Sequence, residues 1–147
     1  MNWMTDICSN QILVNSFIAW AAAQIIKTII YAVMNHTLDI RRLLGAGGMP
    51  SSHTATVVAM AVTAGLEYGL DSPIFAVTAV LVLVVTHDAM NVRMEAGKHA
   101  MLLNQLMETI QGLEFSQERL KELLGHTPLQ VFFGAVLGVV VAIVMHG

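Results

Sequence analysis

Four long runs of apolar positions divide the chain, separated by short polar segments. They are Ile12 to Met34, Thr54 to Leu70, Pro73 to Val92 and Pro128 to Met145. Crossing a hydrocarbon layer of ~30 Å takes about 20 helical residues. The first, third and fourth runs approach that length, and the second is shorter and ends in Glu67. The pattern predicts an all-α integral membrane bundle of about four transmembrane helices, forming a single membrane-embedded domain over residues 1–147. Residues 93–125 have a different texture. Met101, Leu102, Leu106, Ile110 and Leu113 recur at roughly helical spacing among polar neighbours, which predicts an amphipathic helix. "SQERLKELLG" predicts a second, with Ser116 as N-cap and Gly125 as its C-terminal stop. Both are expected as amphipathic cytoplasmic helices between spans three and four, on the membrane surface or against a partner subunit.

Composition strengthens the membrane reading. The chain is 56% hydrophobic and 12% charged, where a soluble domain carries about 25% charged residues. The net charge is −3 with no basic block, which argues against nucleic acid as a partner. Cys8 is the single cysteine, so no intramolecular disulfide forms. "MNWMTDICSN" contains no Lys or Arg, so it lacks the basic start of a cleavable signal peptide, and the first run is expected to be a permanent span.

The distribution of cations sets an expected topology. Arg41 and Arg42 lie between runs one and two, and Arg93, Lys98, Arg119 and Lys121 between runs three and four. "EYGLDSP" and both termini carry no Lys or Arg. The positive-inside rule then places the basic loops in the cytoplasm and both termini outside, in a multi-pass protein of the cell membrane. Small residues in runs two and four, including Gly134 and Gly138 at G-x-x-x-G spacing, suit close helix packing and admit a homo-oligomer.

The candidate chemistry lies at two helix starts. "GAGGMPSSHTATVVAM" (45–60) leads from glycines into Pro50, Ser51, Ser52 and His53. Pro50 suits the first turn of a helix. Free N–H groups and a partial positive charge make a helix N-terminus an anion site, and the two serines add hydroxyls. His53 adds a group that exchanges protons near neutral pH. By itself this stretch reads as a loop and an N-cap. "GHTPLQVFFGAVLG" (125–138) repeats the arrangement with His126, Thr127 as N-cap and Pro128 in the first turn. The expected topology puts His126 and His53 on one face, a pairing that suits phosphoryl transfer, one as nucleophile and one as general acid.

Together these blocks resemble the type 2 phosphatidic acid phosphatase superfamily, which includes the vanadium haloperoxidases. "GMPSSHTATVVAMA" is similar to its P-S-G-H block and "GHTPLQVFFGAVLG" to its final H-x-x-x-D block. With "HDAMNVRMEAGKHAMLLNQL" between them, the closer resemblance is to the divergent phosphatidic acid phosphatase-like family, over about residues 20–145. The resemblance implies that His53 protonates the leaving group and His126 forms a phosphohistidine. It implies Ser51 as a phosphate-holding serine, with Ser52 standing where glycine is usual, Lys27 as the cation of the first block and Arg93 as that of the S-R block. Arg42, with Arg41, partly replaces a missing R-P element. Lys27 lies about two turns inside run one, ~10 Å from its end. A charged lysine mid-span costs about 2.5–3.5 kcal/mol, so it faces a polar interior or snorkels. The S-R and H-x-x-x-D elements, normally adjacent, are split here by about thirty residues. The aspartate expected after the last histidine is Gln130, which can accept a hydrogen bond but brings no charge.

Asp88, Asn91 and Glu95 share one helix face. Asp88 is expected either to pair with Arg93, Lys98 or Lys27, or to serve His126 in place of the missing aspartate, and Ser52 and Lys98 are counted with Lys27, Arg42, Ser51 and Arg93 as expected substrate-binding residues. His87, His99, Asp88 and Glu95 lack the spacing of a metal site, so neither a metal nor a cofactor is expected. His36 and His146 are expected to be interfacial bystanders. The expected function is an integral membrane phosphatase-like protein, hydrolysing a lipid phosphate or pyrophosphate through a phosphohistidine. Membrane lipids and a phosphate-containing substrate are the expected partners. The alternative is an inactive member that binds an anionic headgroup as a scaffold or transporter component. A haloperoxidase-like vanadate site fits the apolar context less well.

Overall fold

The computed structural model describes residues 2–37, 48–109, 120 and 125–147. The described residues form helices throughout: α1 (Trp3–Ser9), α2 (Gln11–Asn35), α3 (Ser52–Tyr68), α4 (Pro73–His87), a π-turn over Asp88–Val92, α5 (Arg93–Thr109) and α6 (Pro128–His146). Among the described residues, three stretches are long and apolar enough to cross a membrane: Gln11–Asn35, Pro73–Met107 and Pro128–His146. α3 has 17 residues and falls short by length. It is the central helix, packed against α2, α4 and α6.

The start signals explain the helix boundaries. Asn10, Ser51, Ser72 and Thr127 each accept a backbone N–H of their own first turn through the side chain, which satisfies a donor the helix cannot. Pro50, expected in the first turn of α3, instead precedes the cap. Ser51 takes the cap position because its Oγ accepts from the Thr54 N–H and hydroxyl at 3.3 and 3.0 Å. α1 was not foreshadowed by the apolar pattern, since it is short and buries no residue.

The core is built from small side chains. Ala19 and Ala23 of α2 meet Ala55 and Ala59 of α3, with Leu137 and Val141 of α6 packed alongside. A Cβ on Gly134 would come within 2.5 Å of the Ser51 carbonyl oxygen, and one on Gly138 within 2.6 Å of that of Ala55. Small residues thus let two backbones touch, which stabilises helix pairs where lipid supplies no hydrophobic drive. Deeper in, the Asn15 amide donates to Thr63 Oγ1 at 3.1 Å and ties α2 to α3.

The long helix differs from the expected break between a span and a separate amphipathic helix. α4 passes through the π-turn into α5 without interruption. No proline interrupts it, and a π-turn absorbs one extra residue without breaking the helix. Thirty-five residues rise ~52 Å, more than the hydrocarbon layer, so the polar half of α5 projects beyond it. The inward face of α5 is also not the leucine stripe. Ala100 and Asn104 are buried, whereas Met101, Leu102 and Leu106 are exposed. The Asn104 amide donates to the Leu120 carbonyl at 3.0 Å, and its Oδ1 accepts the Leu120 N–H at 3.1 Å. The second expected helix, with its Ser116 cap, lies outside the described residues.

Candidate functional site at two helix starts

The starts of α3 and α6 are pinned together by main-chain atoms. The Ser51 N–H donates to the Gln130 carbonyl at 3.0 Å, and Gly134 leaves room for the Ser51 carbonyl. The π-turn joins them, because the His126 N–H donates to the carbonyl of Ala89 at 2.9 Å. Gly125 makes this approach possible. Its φ is +105°, and a Cβ there would lie 2.6 Å from the backbone nitrogen of Met94. Only glycine adopts that angle at no steric cost. It therefore turns the chain against the start of α5 and delivers His126 to the α6 start.

This scaffold brings His53 and His126 together, with ring centroids 6.1 Å apart. The two rings are held differently. His126 is 5% exposed, and its Nδ1 lies 3.1 Å from Gln130 Oε1. The same Oε1 accepts the Thr127 backbone N–H at 3.1 Å, within a capping box. A backbone N–H only donates, so the Gln130 atom facing it is the carbonyl oxygen, and His126 Nδ1 must then be the protonated nitrogen. Its Nε2 keeps the lone pair in the neutral ring. His53 is exposed and makes no hydrogen bond among the described residues. Burial holds the His126 imidazole below the ordinary histidine value. The hydrogen bond that His126 donates to Gln130 opposes this, and the charges of His53, Lys27 and Arg93 reinforce it.

Lys27 is buried, with 5% of its surface exposed. It does not snorkel: its Nζ donates to Gln24 Oε1 at 2.9 Å, and Gly48 lies against its methylenes. No carboxylate pairs with it among the described residues. A cation buried with one neutral partner is poorly compensated, and an incoming anion would correct that. Ser51 and Ser52 are both buried at the α3 start. Arg93 is bonded through Nε to Asp88 Oδ2 at 2.7 Å, and both side chains are partly exposed. Asp88 therefore faces Arg93, and the Nδ1 partner of His126 is Gln130. Lys98 pairs with Glu95 at 2.6 Å on the exposed face of α5. Arg42 and Arg41 lie outside the described residues. His146 is not a bystander: it stands 3.5 Å from Glu67 and links the ends of α6 and α3. Among the described residues no group of three His, Cys, Asp or Glu side chains gathers in a metal-ligating cluster.

The sequence reading missed the π-turn and the Ala89 carbonyl that supports His126. The polar start of "HDAMNVRMEAGKH" inside an apolar run was the one signal that could have marked it. It also undervalued Gln130, whose spacing from Thr127 is that of a capping box.

Residues 8–141 match the divergent PAP2 family. The chain belongs to this family. It is also 37% identical, over a 152-residue alignment covering 95% of this chain and 96% of the relative, to the uncharacterized membrane protein YuiD of Bacillus subtilis (strain 168). No solved structure gives a significant match. This family member is thus a multi-pass, phosphatase-like membrane protein.

Proposed function

We propose that this divergent PAP2 family member hydrolyses a phosphate or pyrophosphate ester of a membrane lipid through a phosphohistidine at His126. The observation that carries the reading is the 6.1 Å approach of the two rings at paired helix starts. Rings this near can both reach one phosphoryl group lying between them, His126 at a near-attack distance of ~3–3.5 Å from phosphorus and His53 by a hydrogen bond of ~2.6–3.2 Å to an oxygen one P–O bond farther on. Its oxygens would meet the Lys27 ammonium, Arg93, the Ser52 hydroxyl and the free N–H groups at the α3 start. His126 Nε2 attacks phosphorus as the bond to the leaving oxygen breaks, and His53 supplies the proton to that oxygen. Water, losing its proton to His53, then cleaves the P–N bond and frees phosphate. Positive-inside topology would open the site to the cytoplasmic leaflet.

The test is phosphate release from lipid phosphates by purified protein in nanodiscs, with trapping of an acid-labile, alkali-stable phosphohistidine. Release should vanish in His126→Ala, and equal rates would end the mechanism. The neutral Gln130 favours a second reading, an anion-headgroup binder without turnover. It would appear as vanadate binding with no phosphate release, lost in Arg93→Ala.

A further inference from the structure

The two cations near the histidines are held in different ways. Arg93, partly exposed, is met by the carboxylate of Asp88. Lys27, buried, is met at 2.9 Å by the side chain of Gln24, which is itself 6% exposed. An ammonium only donates, so the Gln24 atom facing Nζ is the carbonyl oxygen. Gln24 stands one turn before Lys27 on α2, a spacing that brings two side chains together. The stem is held as well. Gly48 has a φ of +87°, and a Cβ there would lie 3.0 Å from Lys27 Cγ and 3.2 Å from its Cδ. Lys27 is thus fixed along its methylenes and at its head. Its charge acts on both the His53 and His126 rings, so the ammonium lies within electrostatic reach of the place proposed for phosphate.

We infer that Gln24 is a positioning residue of the candidate site, which holds the Lys27 ammonium for an incoming anion and leaves its charge intact. The inference deepens the phosphohydrolase reading and rests on its phosphate position. The physical argument turns on the choice of acceptor. An ammonium carries three N–H donors. The Gln24 oxygen takes one, and the others can meet phosphate oxygens. A carboxylate in the same place would also hold the head, but it would supply the negative charge that the anion brings. A neutral amide fixes position without that competition. The cation then stays poorly compensated in its buried setting until an anion arrives. Gln24 itself touches the anion only through Lys27, so its effect is on binding and orientation rather than on bond breaking.

The experiment measures orthovanadate binding to the full chain in phosphatidylcholine nanodiscs by isothermal titration calorimetry. Phosphate release from an alkyl phosphate and thermal unfolding are measured beside it. Gln24→Glu preserves shape and acceptor and cancels the charge of Lys27. It should weaken vanadate binding by ~10-fold or more, the scale of one hydrogen bond to a charged group, while the unfolding temperature stays near that of the natural sequence. A merely structural glutamine would tolerate glutamate, so unchanged vanadate affinity in Gln24→Glu would overturn the inference. Gln24→Met keeps the length and removes the acceptor. It should weaken binding by roughly 3–10-fold, because the ammonium is no longer held. Tighter binding in Gln24→Met would overturn the inference, since Gln24 would then compete with the anion for Lys27. If the natural sequence binds vanadate with these responses yet releases no phosphate, the hydrolytic reading falls and the role of Gln24 stands. If phosphate is released and Gln24→Glu binds vanadate as tightly as before, the hydrolytic reading stands and the role of Gln24 falls. Absence of vanadate binding to the natural sequence would overturn both.

Discussion

The starts of α3 and α6 look alike in sequence and differ in what they do with their histidine. Each has a proline, a hydroxyl cap and a histidine within four residues. At α3 the histidine follows the cap, lies within the first turn, and is exposed without a hydrogen bond among the described residues. At α6 it precedes the cap, is buried, and is held at both its backbone N–H and its Nδ1. A nucleophile benefits from a fixed ring with one lone pair aimed outward. A group that gives and takes protons benefits from contact with water and freedom to move. The shift of three positions relative to the cap, from two after it to one before it, is enough to separate the two proposed roles.

The largest test of that asymmetry is removal of the fixed ring. His126→Ala should lower phosphate release by at least ~10³-fold, as loss of a covalent nucleophile does, whatever the leaving group. His53→Ala should cost ~10²–10⁴-fold on an alkyl phosphate. The cost should shrink toward tenfold on a p-nitrophenyl ester, whose leaving oxygen needs no proton. Identical losses on both substrates would erase the distinction between the two starts.

A finer test concerns the clamp. Gln130→Ala removes a hydrogen bond that acquires charge when the ring is protonated, worth about 1.5–3 kcal/mol. This predicts a ~10–100-fold fall in kcat/KM. The pH profile gives the sign. Burial already places the His126 titration below the ordinary value, and Gln130 opposes that shift. The neutral nucleophile should thus persist as pH falls through ~6.5. Gln130→Ala should move the acid limb of kcat/KM lower still, and Gln130→Glu should move it higher, because a carboxylate favours imidazolium. An acid limb that ignores both changes would detach Gln130 from His126. Smallest of all should be Lys98→Ala, which breaks an exposed pair outside both starts. Because exposed ion pairs contribute little, activity within twofold and little change in unfolding temperature are expected, read by phosphate release and thermal unfolding in detergent.

Much of this was legible in the chain because apolar run length and capping residues are local properties. Gln11–Asn35, Pro73–His87 and Pro128–His146 follow closely the apolar runs that predicted them, and Thr127 caps α6 as its start signal predicted. The G-x-x-x-G spacing marked α6 as a close-packing helix, and its partner proved to be α3. The fate of each charged group was less legible. Lys27, Asp88 and Lys98 each had several possible partners within reach of their flexible stems, and sequence spacing does not rank them. Asp88 went to Arg93, and Lys27 took an amide in place of a carboxylate.

By itself the sequence determined the membrane-embedded helical class, the helix starts, and which residues could perform phosphate chemistry. Hydropathy, capping and side-chain inventory act over a few residues and need no partner. Only the tertiary structure decided that two histidines 73 positions apart in the chain (126 − 53) share one place. That meeting depends on glycines letting backbones touch, on a π-turn turning a carbonyl toward His126, and on an amide oxygen fixed by a backbone N–H. Such effects arise from how helices pack across space, which no local pattern along the chain encodes.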